Sequence, residues 1–124
     1  MDKELLVAAG HEMVRALDHG SIKPKAALWV YSADTDIWKL WVVPGEKKTD
    51  KMEFYREVAD AITKNRDRMH GIDISAIEMV PDDSPVIQGM KFFMKMPGLG
   101  SASMSNNTVN GVYIPDGVVL RMDV

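Results

Sequence analysis

Length, composition and charge limit what this chain can be. It has 124 residues, 46% of them hydrophobic, a net charge of −3 and no cysteine. The length and the hydrophobic content suit one globular domain over residues 1–124. The absence of cysteine excludes disulfides, thiolate nucleophiles and cysteine-ligated metal clusters. Because acids and bases are interleaved without a basic stripe, the sequence predicts no nucleic-acid partner.

The first half of the chain predicts a helix, a β-hairpin and a second helix. Residues 2–19 form the first helix, which Asp2 can cap and which buries a stripe made of Leu6, Met13 and Leu17. Residues 25–44 form the hairpin, because the strands AALWVYS and IWKLWVV flank a polar turn. Apolar residues at helical spacing from Asp50 onward predict a second helix that ends near residue 70.

The second half predicts a strand, a third helix and further strands. Residues 72–80 form the strand. Ser84 and Pro85 are typical of a helix start, and this third helix is predicted to continue to Met96. The remainder is β, and its last strand follows a turn at residues 115–117.

Residues 97–111, PGLGSASMSNNTVNG, have the composition of a ligand-binding glycine loop but do not predict one. Glycine loops that bind phosphate lead into a helix amino terminus, where free N–H groups meet the anion. Here the glycines follow a predicted helix and precede serines that alternate with Ala102 and Met104. The segment therefore predicts a helix end followed by a strand with one solvated face.

These elements together predict the fold class. Their order, αββαβαβββ, mixes helices with hairpins, which favours an α+β fold. We expect a single two-layer domain in which a largely antiparallel sheet carries the helices on one face.

The sequence also predicts a cytoplasmic protein without a membrane partner. The first four residues carry acids where a secretion signal would be basic. No run approaches the roughly 20 apolar residues that span a bilayer. The absence of cysteine fits the same compartment.

One acidic group offers an enzymatic alternative. It consists of Asp34, Asp36, Glu46 and Lys48. These residues surround the hairpin, and carboxylates with a nearby lysine are the residues that a metal-dependent nuclease needs. The Pro44–Gly45 pair places Glu46 in a loop instead of on a rigid strand, so ordinary turn chemistry also explains these acids. The alternative function is a nuclease-like, metal-dependent enzyme.

The hairpin carries apolar side chains on both of its faces. In the first strand, Trp29 and Tyr31 point to one face, whereas Leu28 and Val30 point to the other. In the second strand, Lys39 is the only charged residue. The hairpin is therefore either covered on both sides or presents an aromatic face to a partner.

The predicted third helix is apolar around most of its circumference. Phe92 and Met96 lie one turn apart on a second apolar face, and Gly89 at mid-helix suggests a closely approaching neighbour. Five of the ten methionines lie between residues 79 and 104, and methionine serves both irregular cores and adaptable recognition surfaces. This helix is therefore either buried between layers or part of a binding surface.

An excess of apolar faces, without a convergent polar site, favours a binding protein over an enzyme. We expect it to bind a protein partner or itself, as an inhibitor, immunity factor, accessory subunit or dimer, with no cofactor and no bound metal. The predicted contact residues are Trp29, Tyr31, Trp41, Phe92 and Met96.

Overall fold

Helices and strands follow one another in the order αββαβαββββ. In the computed structural model they are α1 (Lys3–Asp18), β1 (Ala26–Ser32), β2 (Ile37–Val43), α2 (Lys51–Lys64), β3 (Ile77–Met79), α3 (Pro85–Met90), β4 (Ala102–Met104), β5 (Asn107–Val109), β6 (Val112–Ile114) and β7 (Gly117–Met122). The structure describes residues 2–46, 49–69, 71–92, 94–105, 107–109 and 111–124. The predicted order is matched through α3, after which the described residues form four strands instead of three.

The first helix forms as its sequence predicts. The carboxylate of Asp2 accepts a hydrogen bond of 3.0 Å from the backbone N–H of Glu4, which satisfies one of the free donors at the helix start. The predicted stripe is buried and packs against the sheet, and it consists of Leu6, Met13 and Leu17. Each such side chain contributes about 1.5–3 kcal/mol when it is fully buried.

An ion pair fixes the carboxyl end of α1 to the last strand. The guanidinium of Arg121 donates to both carboxylate oxygens of Asp18, at 2.9 and 3.0 Å, and to the carbonyl oxygen of Pro24 at 2.9 Å. This two-pronged geometry holds α1 in one orientation across β7, because the planar guanidinium matches the carboxylate plane.

The predicted hairpin becomes the centre of a five-stranded sheet. The strand order is β3-β2-β1-β7-β4, and every pairing is antiparallel except the parallel pairing of β2 with β3. The hairpin strands have the predicted bounds. The α+β class and the largely antiparallel sheet are therefore confirmed.

Both faces of the sheet are covered, which explains why the hairpin is apolar on both sides. Helices α1 and α2 share one face and enclose a cluster that includes Trp29, Phe54 and Leu120. On the opposite face, α3 and β6 enclose a second cluster that includes Leu28 and Val119. The short third helix thus adds a layer that the two-layer prediction did not contain.

The second helix and the third strand are shorter than predicted. Helix α2 ends at Lys64, because Asn65 leaves the helical conformation and its side-chain amide donates to the carbonyl oxygen of Ala61. Residues Ile74–Ala76 form a 3₁₀ turn, so only three residues pair as β3.

The third helix also ends early, at Met90 instead of Met96. Met96 exchanges two backbone hydrogen bonds of 2.8 Å with Met122, which attaches the chain to the end of β7. Phe92 and Met96 therefore do not lie one helical turn apart. The predicted close approach at Gly89 is absent too, because its nearest neighbours on β6 leave ordinary contact distances for a Cβ atom.

Candidate protein-binding surface

The five predicted contact residues are divided between the two faces of the sheet. In the β1–β2 register, Tyr31 lies opposite Trp38 and Leu28 lies opposite Trp41. Since side chains alternate along a strand, Trp29 and Tyr31 point toward α1 and α2, whereas Trp41 points toward α3. The predicted set does not form one surface.

Trp29 belongs to the core, which corrects its prediction as a contact residue. It is 1% exposed, and its Nε1–H donates a hydrogen bond of 2.7 Å to the carbonyl oxygen of Leu6 on α1. Gly10 makes this approach possible, because a Cβ atom there would lie 2.7 Å from Trp29 Nε1. The indole therefore joins α1 to the sheet and is not available to a partner.

Tyr31 lies next to the turn of the hairpin and is half-buried. Its hydroxyl donates to a carboxylate oxygen of Asp36 at 2.6 Å, and its ring centroid lies 5.0 Å from that of Trp38. Asp36 adopts a left-handed backbone conformation with φ of 54°, which is common for aspartate in turns. These contacts explain Tyr31 as a residue that orders the turn.

The Tyr31 hydrogen bond has a measurable consequence at high pH. The hydrogen bond to Asp36 raises the pKa of Tyr31 above its ordinary value of 10.0, and burial and the charges of Asp36 and Asp116 act in the same direction. The bond stabilises the protonated form, so its contribution to stability is complete below the ordinary pKa and is lost as pH rises through the raised value.

We expect Asp36→Asn to lower the pKa of Tyr31 toward its ordinary value, because the charged acceptor is removed. The measurement is an ultraviolet titration of tyrosinate, with Tyr31→Phe identifying the signal of Tyr31. Asp34→Asn, on the same turn, is the control and should leave this pKa unchanged. Equal shifts in both variants would contradict the assigned cause.

Trp41 and β4 lie toward opposite edges of the sheet, on the face that α3 covers. Across this face, Trp41, Leu28, Val119 and Ala102 occupy one row of paired positions on β2, β1, β7 and β4. Three strand spacings separate its two ends, which is about 14 Å. The centre of the row is buried under α3 and β6, so Trp41 and the β4 side are separate features.

The apolar residues at the β4 side form the strongest candidate surface, which we name the β4 rim. Phe92 is 74% exposed, and the other members are half-buried against the second cluster. The β4 rim consists of Met94, Met96, Ala102 and Met104, which pack against the second cluster, and of Phe92, which precedes Met94 by two residues in the chain. It therefore keeps two of the predicted contact residues, Phe92 and Met96.

Backbone and side-chain hydrogen bonds hold the rim against the rest of the protein. The N–H of Gly100 donates to the carbonyl oxygen of Leu120 at 3.0 Å. The carbonyl oxygen of Gly100 accepts from Nε2 of His11, on α1, at 2.7 Å. The glycine-rich segment thus anchors the start of β4 to α1 and β7 and exposes no helix amino terminus to an anion.

A groove lies on the other face of the sheet, between β4 and α1. Its volume is about 410 Å³, and its walls combine the apolar side chains of Val7, Ala8 and Val118 with one serine of β4, the serine just before β4, and charged groups of α1. Ser101 and Ser103 face this groove, whereas Ala102 and Met104 face the rim. β4 therefore has accessible contact surface on both faces of the sheet, the groove on one and the β4 rim on the other.

The acidic residues of the enzymatic alternative are not brought together. Asp34 and Asp36 lie in the turn before β2, whereas Glu46 follows the far end of that strand. Seven strand residues span about 20 Å, so these carboxylates cannot share a cation. Lys48 lies outside the described residues. In the described part of the chain, no three His, Asp or Glu side chains are placed to hold a metal ion.

Sequence reasoning missed Met94, Ala102 and Met104 as members of the surface. The available signal was the alternation of serine with Ala102 and Met104, which predicted the strand but not its place at a sheet edge. Strand order depends on pairing between strands that are far apart in the sequence, and the local residue pattern does not specify that pairing.

No protein-family model, curated protein or solved structure matches the chain. Within the described ranges, no helix has the length and hydropathy that crossing a bilayer requires. Function must therefore be inferred from the surface itself.

Proposed function

We propose that this chain is a cytoplasmic protein-binding module without catalytic activity, such as an inhibitor, immunity factor or accessory subunit, and that it binds through the β4 rim. The observation that carries the proposal is the exposure of Phe92, two residues before Met94 in the chain, together with the partly exposed methionines that pack against the second cluster at one edge of the sheet. An aromatic side chain of this exposure gains favourable free energy when a partner covers it.

The composition of the rim suits protein recognition. Binding energy is concentrated in a few aromatic and large apolar residues that a partner fully desolvates. Methionine side chains are flexible and polarisable, so they can adjust to the shape of the partner. The other large exposed apolar residues include Met52 on α2 and Ile37 at the hairpin turn, which lie on other elements. Single exposed residues of this kind are ordinary on protein surfaces.

The cytoplasmic location is supported by composition. A chain without cysteine needs no oxidising compartment to complete its fold. Fractionation of the native host, followed by immunodetection, tests this part of the proposal separately, and recovery outside the cytoplasm would contradict it.

The test of function is capture of a stoichiometric partner from the native host by tagged protein. We expect Phe92→Ala to weaken binding of that partner by about 30-fold, which corresponds to about 2 kcal/mol, because Phe92 is the most exposed side chain of the rim. Isothermal calorimetry with the purified partner gives the affinities.

Met52→Ala is the matched control. Met52 is 80% exposed but lies on α2, so its removal should leave the affinity unchanged. If neither the wild type nor the control captures a stoichiometric protein, or if Phe92→Ala binds as well as the wild type, the proposed function is wrong.

A further inference from the structure

We infer that the partner of the β4 rim is a second copy of this chain, which adds its own β4 to β4 in antiparallel orientation. The inference rests on the proposed function, since it gives the rim a specific partner. Two five-stranded sheets would then continue into one ten-stranded sheet across a two-fold axis.

The outer edge of β4 is unpaired and lacks the charged residues and proline that commonly protect a sheet edge. β4 pairs with β7 on one side, and no other strand of the described chain pairs with it. Edge strands are normally blunted by short length, charged residues, proline or bulges, and of these β4 has its short length. Residues 98–114 contain no charged residue and no proline, whereas β3, at the other edge, carries the exposed Glu78 and is closely followed by Pro81.

The sequence around β4 is self-complementary. Antiparallel pairing centred on Ser103 would place Ser103 opposite Ser103 of the second copy, Ala102 opposite its Met104, and Ser101 opposite its Ser105. Serines would meet serines on the α1 side, and apolar residues would meet apolar residues on the rim side. No like charges would face each other, so nothing in the pairing opposes a two-fold arrangement.

Side-chain contacts on both faces must supply most of the affinity, because β4 has only three residues. A stable interface buries about 800 Å² per partner, which so short a strand cannot supply alone. On one face, the β4 rims of the two copies would adjoin each other. On the other face, the groove beside α1 has a volume of about 410 Å³ and can accept side chains of the second copy. We therefore expect a dimer with a Kd in the micromolar range.

Disulfide trapping tests the register, since the natural chain contains no cysteine. In Ser103→Cys, two cysteines would lie directly opposite each other, at a Cβ separation close to that of a disulfide. With oxidised glutathione, we expect this variant to form a covalent dimer at least about tenfold faster than Ser75→Cys. Ser75 is the control because it is exposed in the 3₁₀ turn before β3, away from β4.

A charge variant tests the association itself. We expect the wild type to sediment as a dimer at about 100 µM, well above a micromolar Kd. Ser103→Lys should sediment as a monomer with an unchanged circular dichroism spectrum, because it places two cations opposite each other at an exposed position. A monomeric wild type, a dimeric Ser103→Lys variant, or equal cross-linking rates for the two cysteine variants would overturn the inference.

Failure of this inference is distinguishable from failure of the proposed function. If the wild type is monomeric but captures a different protein in a Phe92-dependent way, the second copy is excluded as the partner while the binding function stands. If Ser103→Cys cross-links rapidly and Ser103→Lys is monomeric, the second copy is supported whatever else is captured.

Discussion

Replacing Trp29 by alanine is expected to lower the free energy of unfolding by about 4 kcal/mol. The side chain is 1% exposed and belongs to the cluster under α1 and α2. Its removal would leave a cavity and would also remove the hydrogen bond that Trp29 donates to Leu6. Urea denaturation monitored by circular dichroism measures this free energy of unfolding.

Two further variants make this result interpretable. Trp29→Phe keeps most of the volume but removes the N–H donor, so we expect a loss of about 1.5 kcal/mol, which remains measurable even if the alanine variant does not fold. Phe92→Ala removes an exposed ring and should change the free energy of unfolding by less than about 0.5 kcal/mol. Equal losses for Trp29→Ala and Phe92→Ala would contradict the burial of Trp29.

The hairpin shows what local sequence can predict about this fold. Alternating strands around a polar turn specified β1 and β2 to the residue, and the alternation also showed that both faces are apolar. It could not distinguish a hairpin buried on both sides from one that presents a free face. That distinction depends on α3 and β6, which enclose the second face and lie far from the hairpin in the sequence.

The end of α3 shows a second limit. Residues 91–96 have a helical apolar pattern, yet Met96 pairs with Met122 and the helix ends at Met90. Helical propensity is worth only a few tenths of a kcal/mol per residue, so two backbone hydrogen bonds in a sheet can override it.

The candidate site could be predicted only in part, because long-range strand pairing decides which apolar residues are buried. Phe92 and Met96 were identified from their apolar character and remain in the β4 rim. Trp29 and Trp41 were included because aromatic residues often mark binding sites, but the strand order buries the first and separates the second from the rim. Their positions follow from long-range pairing, which no local pattern encodes.

Replacing Gly117 by alanine is expected to lower the free energy of unfolding by about 3 kcal/mol and to disturb β4 directly. Gly117 begins β7 and lies between Val30 on β1 and Met104 on β4. A Cβ atom there would overlap the carbonyl oxygen of Trp29 and lie 2.7 Å from Cε of Met104. A backbone carbonyl within a paired strand cannot move without weakening the pairing, so the cost falls on the centre of the sheet.

Gly89→Ala is the matched control for this substitution. Gly89 is also buried, but its nearest neighbours would lie 3.7 to 3.9 Å from an added Cβ atom, which is ordinary contact. Because alanine favours the helical conformation, this variant should be unchanged or more stable by up to about 1 kcal/mol. Urea denaturation compares the two variants. Because Met104 pairs with Gly117, a shift of β7 would also displace β4, so we expect Gly117→Ala to slow cross-linking through Ser103→Cys. Equal stability of the two alanine variants would show that β1 and β7 are not packed as closely as described.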